Sequence, residues 1–162
     1  MNHVQRPGHL GDEQLKDGIQ YIGCGLEDVW LTSGYDEEML DGEPTISVRD
    51  LDGLHMAIGR SLVQRKKLLT GKEIRFLRTH MDLSQSKLAR LVGCDAQQIA
   101  RYEKGQNKMP GAVDRLLRML FREHLEEPTA VQEFLEAMDD LDGKMDDKQV
   151  FMKTPDGWKD AA

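Results

Sequence analysis

The residues best equipped for hydrogen-bond chemistry cluster between Leu83 and Gly105, in the stretch LSQSKLARLVGCDAQQIARYEKG. A glutamine amide such as Gln97 or Gln98 can pair bidentately with adenine, and a guanidinium such as Arg101 with guanine. Each good pair is worth about 1–3 kcal/mol of discrimination between bases. An ordinary solvated helix face would use the same residue types, so the elements that hold them decide. Ser84 is a good N-cap. Leu88, Leu91 and Val92 follow at helical spacing. Gly93 ends that helix, because glycine takes the left-handed C-terminal conformation cheaply. Asp95 caps a second helix with Ile99 and Tyr102 on its apolar side, and Gly105 stops it. Two short helices, a tight glycine turn and a polar first turn on the second helix predict a helix-turn-helix. In that motif the second helix enters the DNA major groove.

The other chemistry-bearing residues are Cys24, Cys94 and the imidazoles of His3, His9, His55, His80 and His124. None stands in a CxxC, HxxxH or HExxH spacing, so no metal site is expected. Nor is there a phosphate-cradling glycine loop or an acid/base pair in a motif. The expectation is a protein with no cofactor that is not an enzyme. Cys94 reads as a small turn residue and Cys24 as a packed thiol.

The net charge of −7 is unevenly spread. Residues 1–53 carry 3 basic and 12 acidic side chains, residues 54–125 carry 15 and 6, and residues 126–162 carry 4 and 11. The basic middle, net +9, is the block with the helix-turn-helix. Local positive potential draws phosphates through counterion release. The acidic ends either keep the chain off random DNA or meet a basic partner. No apolar run reaches the ~20 residues of a membrane span. The N-terminus lacks an apolar h-region, so no secretory leader is expected. Two cysteines do not make a disulfide framework, and a reduced cytoplasmic setting is the default.

Along the chain, residues 1–18 read as a flexible polar arm. Short β-branched and aromatic runs predict strands near 19–23, 28–32 and 45–49, with DEEMLDGE as an exposed acidic linker and Trp30 as the anchor of the sheet on a helix. A helix over 51–67 is predicted, with Asp50 as N-cap and Leu51, Leu54, His55, Ile58, Leu62 and Val63 as its stripe. Its basic end, Arg65-Lys66-Lys67, is either a solvated cap or a phosphate contact. Thr70-Gly71-Lys72-Glu73 fits a capping box. Pro110 starts a long helix whose Val113, Leu116, Leu117, Leu120 and Phe121 serve either as core or as a dimer seam. Pro128 restarts a helix to about Leu141. Within the remaining tail, VFMKT reads as a short strand, Pro155-Asp156-Gly157 as a turn, and Trp158 as a docking residue.

The pattern SQxxLAxxxG followed by xxxIxxYExG resembles the Cro/C1-type (Xre) helix-turn-helix family. The resemblance implies that Ala96, Gln97, Gln98 and Arg101 face the groove floor and contact bases. Ser84, Gln85 and Lys87, with Lys104, Gln106, Asn107 and Lys108 after the second helix, are implied as phosphate contacts. For Gln85 a second role stands beside this one, bracing the recognition helix. In the family the glutamate at Glu103 pairs with an arginine one helix earlier, and Arg78 stands at the matching place. Tyr102 reads as a core lid rather than a stacking ring.

Over roughly residues 70–125 the chain is also similar to the C-terminal domain of MqsA/YgiT-type antitoxins, through RYEKG, the following MP and LLRML. That family's domain dimerises, binds a palindromic operator and represses its own operon. Its N-terminal domain holds zinc through two CxxC motifs and binds the toxin. Those motifs are absent here, so zinc and toxin binding do not carry over.

The resulting expectation is mainly α: a five-helix Xre-type helix-turn-helix domain with a small N-terminal β-sheet and an extra C-terminal helix. The divisions are an arm at 1–18, sheet plus helix at 19–67, the helix-turn-helix domain at 68–126, a C-terminal helix at 127–142 and a tail at 143–162. The function expected is sequence-specific binding of double-stranded DNA at a palindromic operator, as a homodimeric repressor and an autoregulating antitoxin or a plain operon regulator. A toxin protein is a possible further partner, and no membrane is involved. An interaction module that keeps the fold but reads little DNA is the alternative.

Overall fold

The computed structural model describes residues 4–5, 18–126 and 148–161. The predicted helix at 127–142, the start of the tail and most of the arm, with His3 and His9, lie outside these residues. The chain divides into two compact units, one running to Ile58 and resuming near Asp146, the other starting at Gly59. The division falls inside a helix, α1 (Leu51–Arg65), rather than after residue 67.

The first unit is built on a sheet of five strands in the order β1-β2-β3-β6-β7. These are β1 (Val4–Gln5), β2 (Ile19–Tyr21), β3 (Val29–Leu31), β6 (Gln149–Thr154) and β7 (Gly157–Asp160). All neighbours are antiparallel except β3 and β6, which run parallel with Trp30 opposite Val150. Two expectations change here. Val4 and Gln5, placed in the arm, pair with Tyr21 and Gln20. The stretch from 149, placed in the tail, supplies two strands of the sheet, joined by the turn at Pro155-Asp156. Trp158 is buried, and its indole N–H donates to the carbonyls of Arg49 (3.2 Å) and Asp50 (3.0 Å).

The acidic stretch read as a linker is a hairpin. β4 (Tyr35–Leu40) and β5 (Glu43–Val48) pair antiparallel, with Leu40 opposite Glu43. Between them Asp41 and Gly42 have φ of 52° and 83°. Left-handed backbone at both central residues is what a type I′ turn requires, and Asp-Gly is among its preferred pairs. The turn sets the register although β4 shows no apolar alternation. Arg49 clamps Asp36 through both guanidinium edges, with Nε at 2.8 Å from Oδ2. This unit's core holds Ile19, Tyr21, Leu26, Val29, Trp30, Leu31, Phe151 and, on α1, Leu54 and Ile58.

At the head of α1 the Asp50 carboxylate accepts from the Gly53 N–H at 3.1 Å, from a left-handed backbone with φ 51°. Leu51 is exposed and leaves the predicted stripe, while Ala57 is buried in it.

The second unit contains the rest of α1 with α2 (Gly71–His80), α3 (Gln85–Val92), α4 (Ala96–Glu103) and α5 (Gly111–His124). Thr70 and Glu73 form a reciprocal capping box at the head of α2. Ile74, Phe76, Leu77, Leu88, Val92, Ile99, Tyr102, Leu117 and Phe121 make the core together with Leu62 and Val63. Leu91 is exposed: the inward arc of α3 runs from Leu88 through Val92 to Ala89, and at about 100° per residue Leu91 falls roughly 60° outside it, on the far side of Leu88. Arg118 is fully buried. Its Nη1 donates to the carbonyls of Val63 (3.1 Å) and Lys66 (2.6 Å), and its Nη2 to that of Lys67 (3.2 Å). Asp114 accepts from its Nε at 2.9 Å. One guanidinium thus satisfies a carbonyl of α1's last turn, which has no partner within the helix, and two carbonyls just past the helix end. Among the described residues no helix is long and apolar enough to cross a membrane.

Candidate nucleic-acid interface

The interface is built by α3, α4 and the turn between them. Ser84 caps α3, its hydroxyl oxygen accepting from the Lys87 N–H at 3.0 Å. Gly93 closes α3 with φ 77° in the left-handed region, where a side chain would be strained. Asp95 then caps α4, accepting from the Gln98 N–H at 2.9 Å. These local bonds write the turn, and the apolar residues aim the helices. Ile99 and Tyr102 point α4's inner side into the core at 1% and 6% exposure.

The opposite edge follows from helical geometry. Gln97 and Arg101 lie four residues apart, hence on one face, and both are exposed. Among the described residues neither side chain is tied to a neighbour. Ala96 and Gln98 are half-buried beside them. Lys104, Gln106, Asn107 and Lys108 continue the exposed polar surface into the loop, and Lys87 is exposed on α3.

Glu103 is withdrawn from this surface. Arg78 grips it with Nε to Oε1 at 2.5 Å and Nη2 to Oε2 at 3.1 Å, and spends Nη1 on the Leu83 carbonyl at 2.8 Å. Gln85 donates its amide to Glu103 Oε2 at 2.9 Å. The carboxylate therefore joins α2, the start of α3 and the end of α4. For Gln85 the bracing role is the one its side chain fills, which leaves only the backbone N–H groups at the start of α3 for an anion. Ser84 likewise has its oxygen engaged, with the hydroxyl proton still available to donate.

Two other readings change. Leu117 and Phe121 are 1% exposed, spent in the unit's own core, so they cannot form a seam. Val113 and Leu120 are half-buried and Leu116 is 40% exposed. In the basic run, Lys66 lies 3.5 Å from Glu73 Oε1, which removes it from the phosphate candidates. The residue that sequence reasoning missed is Arg118. Its signal was a guanidinium flanked by Leu117 and Phe121 with an acid, Asp114, four residues earlier.

Burial raises the Cys94 thiol above its ordinary range, with Asp95 adding to it. Among the described residues no cluster of three or more His, Cys, Asp or Glu is placed to hold a metal ion.

Capped helices joined by a left-handed glycine, with one polar edge outward, define a helix-turn-helix domain, the class of module that sets its second helix in the major groove. Residues 70–123 match the family model described as a helix-turn-helix domain, a span of about one third of the chain. No curated protein and no solved structure matches the chain. The domain points to a DNA-binding regulator.

Proposed function

We propose that the chain is a sequence-specific repressor of the Xre (Cro/C1) type that binds a two-fold operator as a homodimer. The observation that carries this reading is the α4 edge: Gln97 and Arg101 are exposed, while the one carboxylate at the end of the same helix is neutralised by Arg78. In this reading Ala96, Gln97, Gln98 and Arg101 read bases. Lys87, Lys104, Gln106, Asn107 and Lys108, with the Ser84 hydroxyl and the amide N–H groups at the head of α3, hold phosphates. Leu116, with Val113 and Leu120, offers the apolar strip on α5 for the second copy. A dimer would set two recognition helices about one DNA turn, ~34 Å, apart. No catalytic step is assigned.

The finer reading is autorepression of the antitoxin kind, supported by the likeness of residues 70–125 to MqsA/YgiT-type DNA-binding domains. The first unit lacks that family's cysteine pairs and supports no zinc-held toxin site. The second reading, an interaction module with little base readout, is favoured by the exposed acidic hairpin β4–β5, which is built to meet basic groups rather than phosphate.

Footprinting of the purified protein on its own upstream DNA, at stated salt, separates them. The repressor reading expects a protected palindrome with half-sites about 10 bp apart, which Arg101→Ala protects only at higher protein concentration. Protection that is uniform, or absent on every upstream fragment, leaves the interaction module.

A further inference from the structure

A groove of about 900 Å3 lies between the α1–α2 linker and the α4–α5 loop of the second unit. That is within the ~300–1,000 Å3 typical of ligand sites. Its apolar lining comes from Leu68, Leu69, Ile74, Tyr102 and Met109. Leu68 is 62% exposed. Lys67 enters from the linker and Lys108 from the loop. Among the described residues neither ammonium has an ion-pair partner. The one carboxylate in the lining, Asp114, is already held by Arg118.

The walls are fixed in advance. Arg118 holds the Lys67 carbonyl at 3.2 Å. Gly71 sits so close to α4 that a Cβ there would run into the backbone carbonyls of Tyr102 and Glu103. A rigid apolar trough with cationic rims selects its ligand by charge as well as by shape. A basic segment would be repelled, a wholly apolar one would lack the charge pairs that carboxylates make with the exposed lysines, and nucleic acid has no apolar side chains for the floor.

We propose that this groove binds a peptide segment of a partner protein in which large apolar side chains alternate with carboxylates. The apolar side chains fill the trough and the carboxylates pair with Lys67 and Lys108. Asn107 and Lys108 also belong to the loop assigned to DNA phosphates, so peptide and operator compete for this edge of the domain. The competition rests on the DNA-binding reading, whereas peptide binding without DNA does not.

The test uses the full chain and a labelled synthetic peptide with leucines at helical spacing and glutamates between them, beside the same peptide with lysines for glutamates. The glutamate peptide should bind saturably and shift the amide signals of Gly71, Gly105 and Gly111. The lysine peptide, and the double variant Lys67→Glu/Lys108→Glu with the glutamate peptide, should each bind about tenfold or more weakly. Leu68→Asp should weaken the glutamate peptide as well. Equal binding of both peptides, indifference to the lysine reversals, or no binding overturns the site. If the glutamate peptide binds only after Phe134 and Leu135 are both changed to Asp, this chain's own acidic stretch is the occupant and the separate partner is excluded. An operator duplex should displace the bound peptide. Retention of the peptide on saturating DNA would strike out the competition alone.

Discussion

Arg78 and Glu103, 25 residues apart, meet fork to fork across the second unit, with Nε–Oε1 at 2.5 Å and Nη2–Oε2 at 3.1 Å. Their side chains are only 11% and 5% exposed. Removing one partner strands a buried charge, whereas replacing both with apolar groups removes the desolvation cost along with the attraction. Glu103→Ala should therefore lower unfolding stability by about 3–5 kcal/mol, and Arg78→Met/Glu103→Leu by clearly less. Urea denaturation of the three proteins checks the order. A double variant as unstable as the single would mean that the pair is not the unit that matters.

Arg118 should be as sensitive, for a different reason. Arg118→Met leaves the carbonyls of Val63, Lys66 and Lys67 without their donor. At about 1–3 kcal/mol for each buried group left unsatisfied, the loss should reach several kcal/mol. Arg118→Lys restores the charge but not the planar fork, and should recover only part. Full recovery by lysine in a thermal melt would show that charge, not geometry, closes α1.

Two glycines predict opposite signs for one substitution. A Cβ on Gly59 would run into the ring of Phe121, which is itself 1% exposed and cannot move aside. The overpacking, about 1–3 kcal/mol, outweighs the ~1 kcal/mol that alanine gains over glycine in a helix. Gly59→Ala should destabilise. At Gly111 a Cβ meets nothing within 4 Å, so Gly111→Ala should stabilise by about 0.4–1 kcal/mol through the unfolded chain. Equal shifts in the two melting curves would remove the steric account.

On DNA, Arg101→Ala should cost about 1–3 kcal/mol and relax preference at one base position. Lys104→Ala should weaken all sequences alike and lower the salt slope by about one. Titration of an operator and its single-base variants at several salt concentrations distinguishes the two, and a uniform effect from Arg101→Ala would move that residue to the phosphate class.

The first unit should lose stability in alkali. Burial, then Cys24, pushes the Tyr21 phenol from its usual 10 up to about 12, while its oxygen lies 3.0 Å from His55 Nε2. Burial, with Asp28 a smaller cause, pushes the Cys24 thiol from 9 up to about 11. Both folded values are raised, so both contributions are complete below the unfolded values. They fade as pH rises from about 9 to 11 for Cys24 and from about 10 to 12 for Tyr21. Melting temperature should be level up to pH 9 and fall above it, with a smaller fall in Cys24→Ala. Thiol labelling should be slow at pH 8, because the thiolate is scarce. Rapid labelling of Cys24 in the native state would contradict the burial.

Local bonding explains which parts of this chain announce themselves. Ser84, Asp95 and Thr70 cap helices with side chains that reach only a few residues along, and Gly93 ends one through its own φ, so their types and spacing suffice to write α2, the helix-turn-helix and the outward edge at Gln97 and Arg101. The hairpin was equally local, signalled by Asp41-Gly42, but acidic composition masked it. What needed the folded chain was every bond between distant residues. No local pattern says that β6 lies parallel to β3, nearly 120 residues earlier, because parallel pairing has no connecting turn to mark it. Nor does periodicity alone tell Leu117, in the core, from Leu116, in the solvent. Gln85 could have faced phosphate or Glu103 on sequence grounds, and Arg118 could have been a surface charge. Their partners come from other helices, and only packing brings those within hydrogen-bond reach.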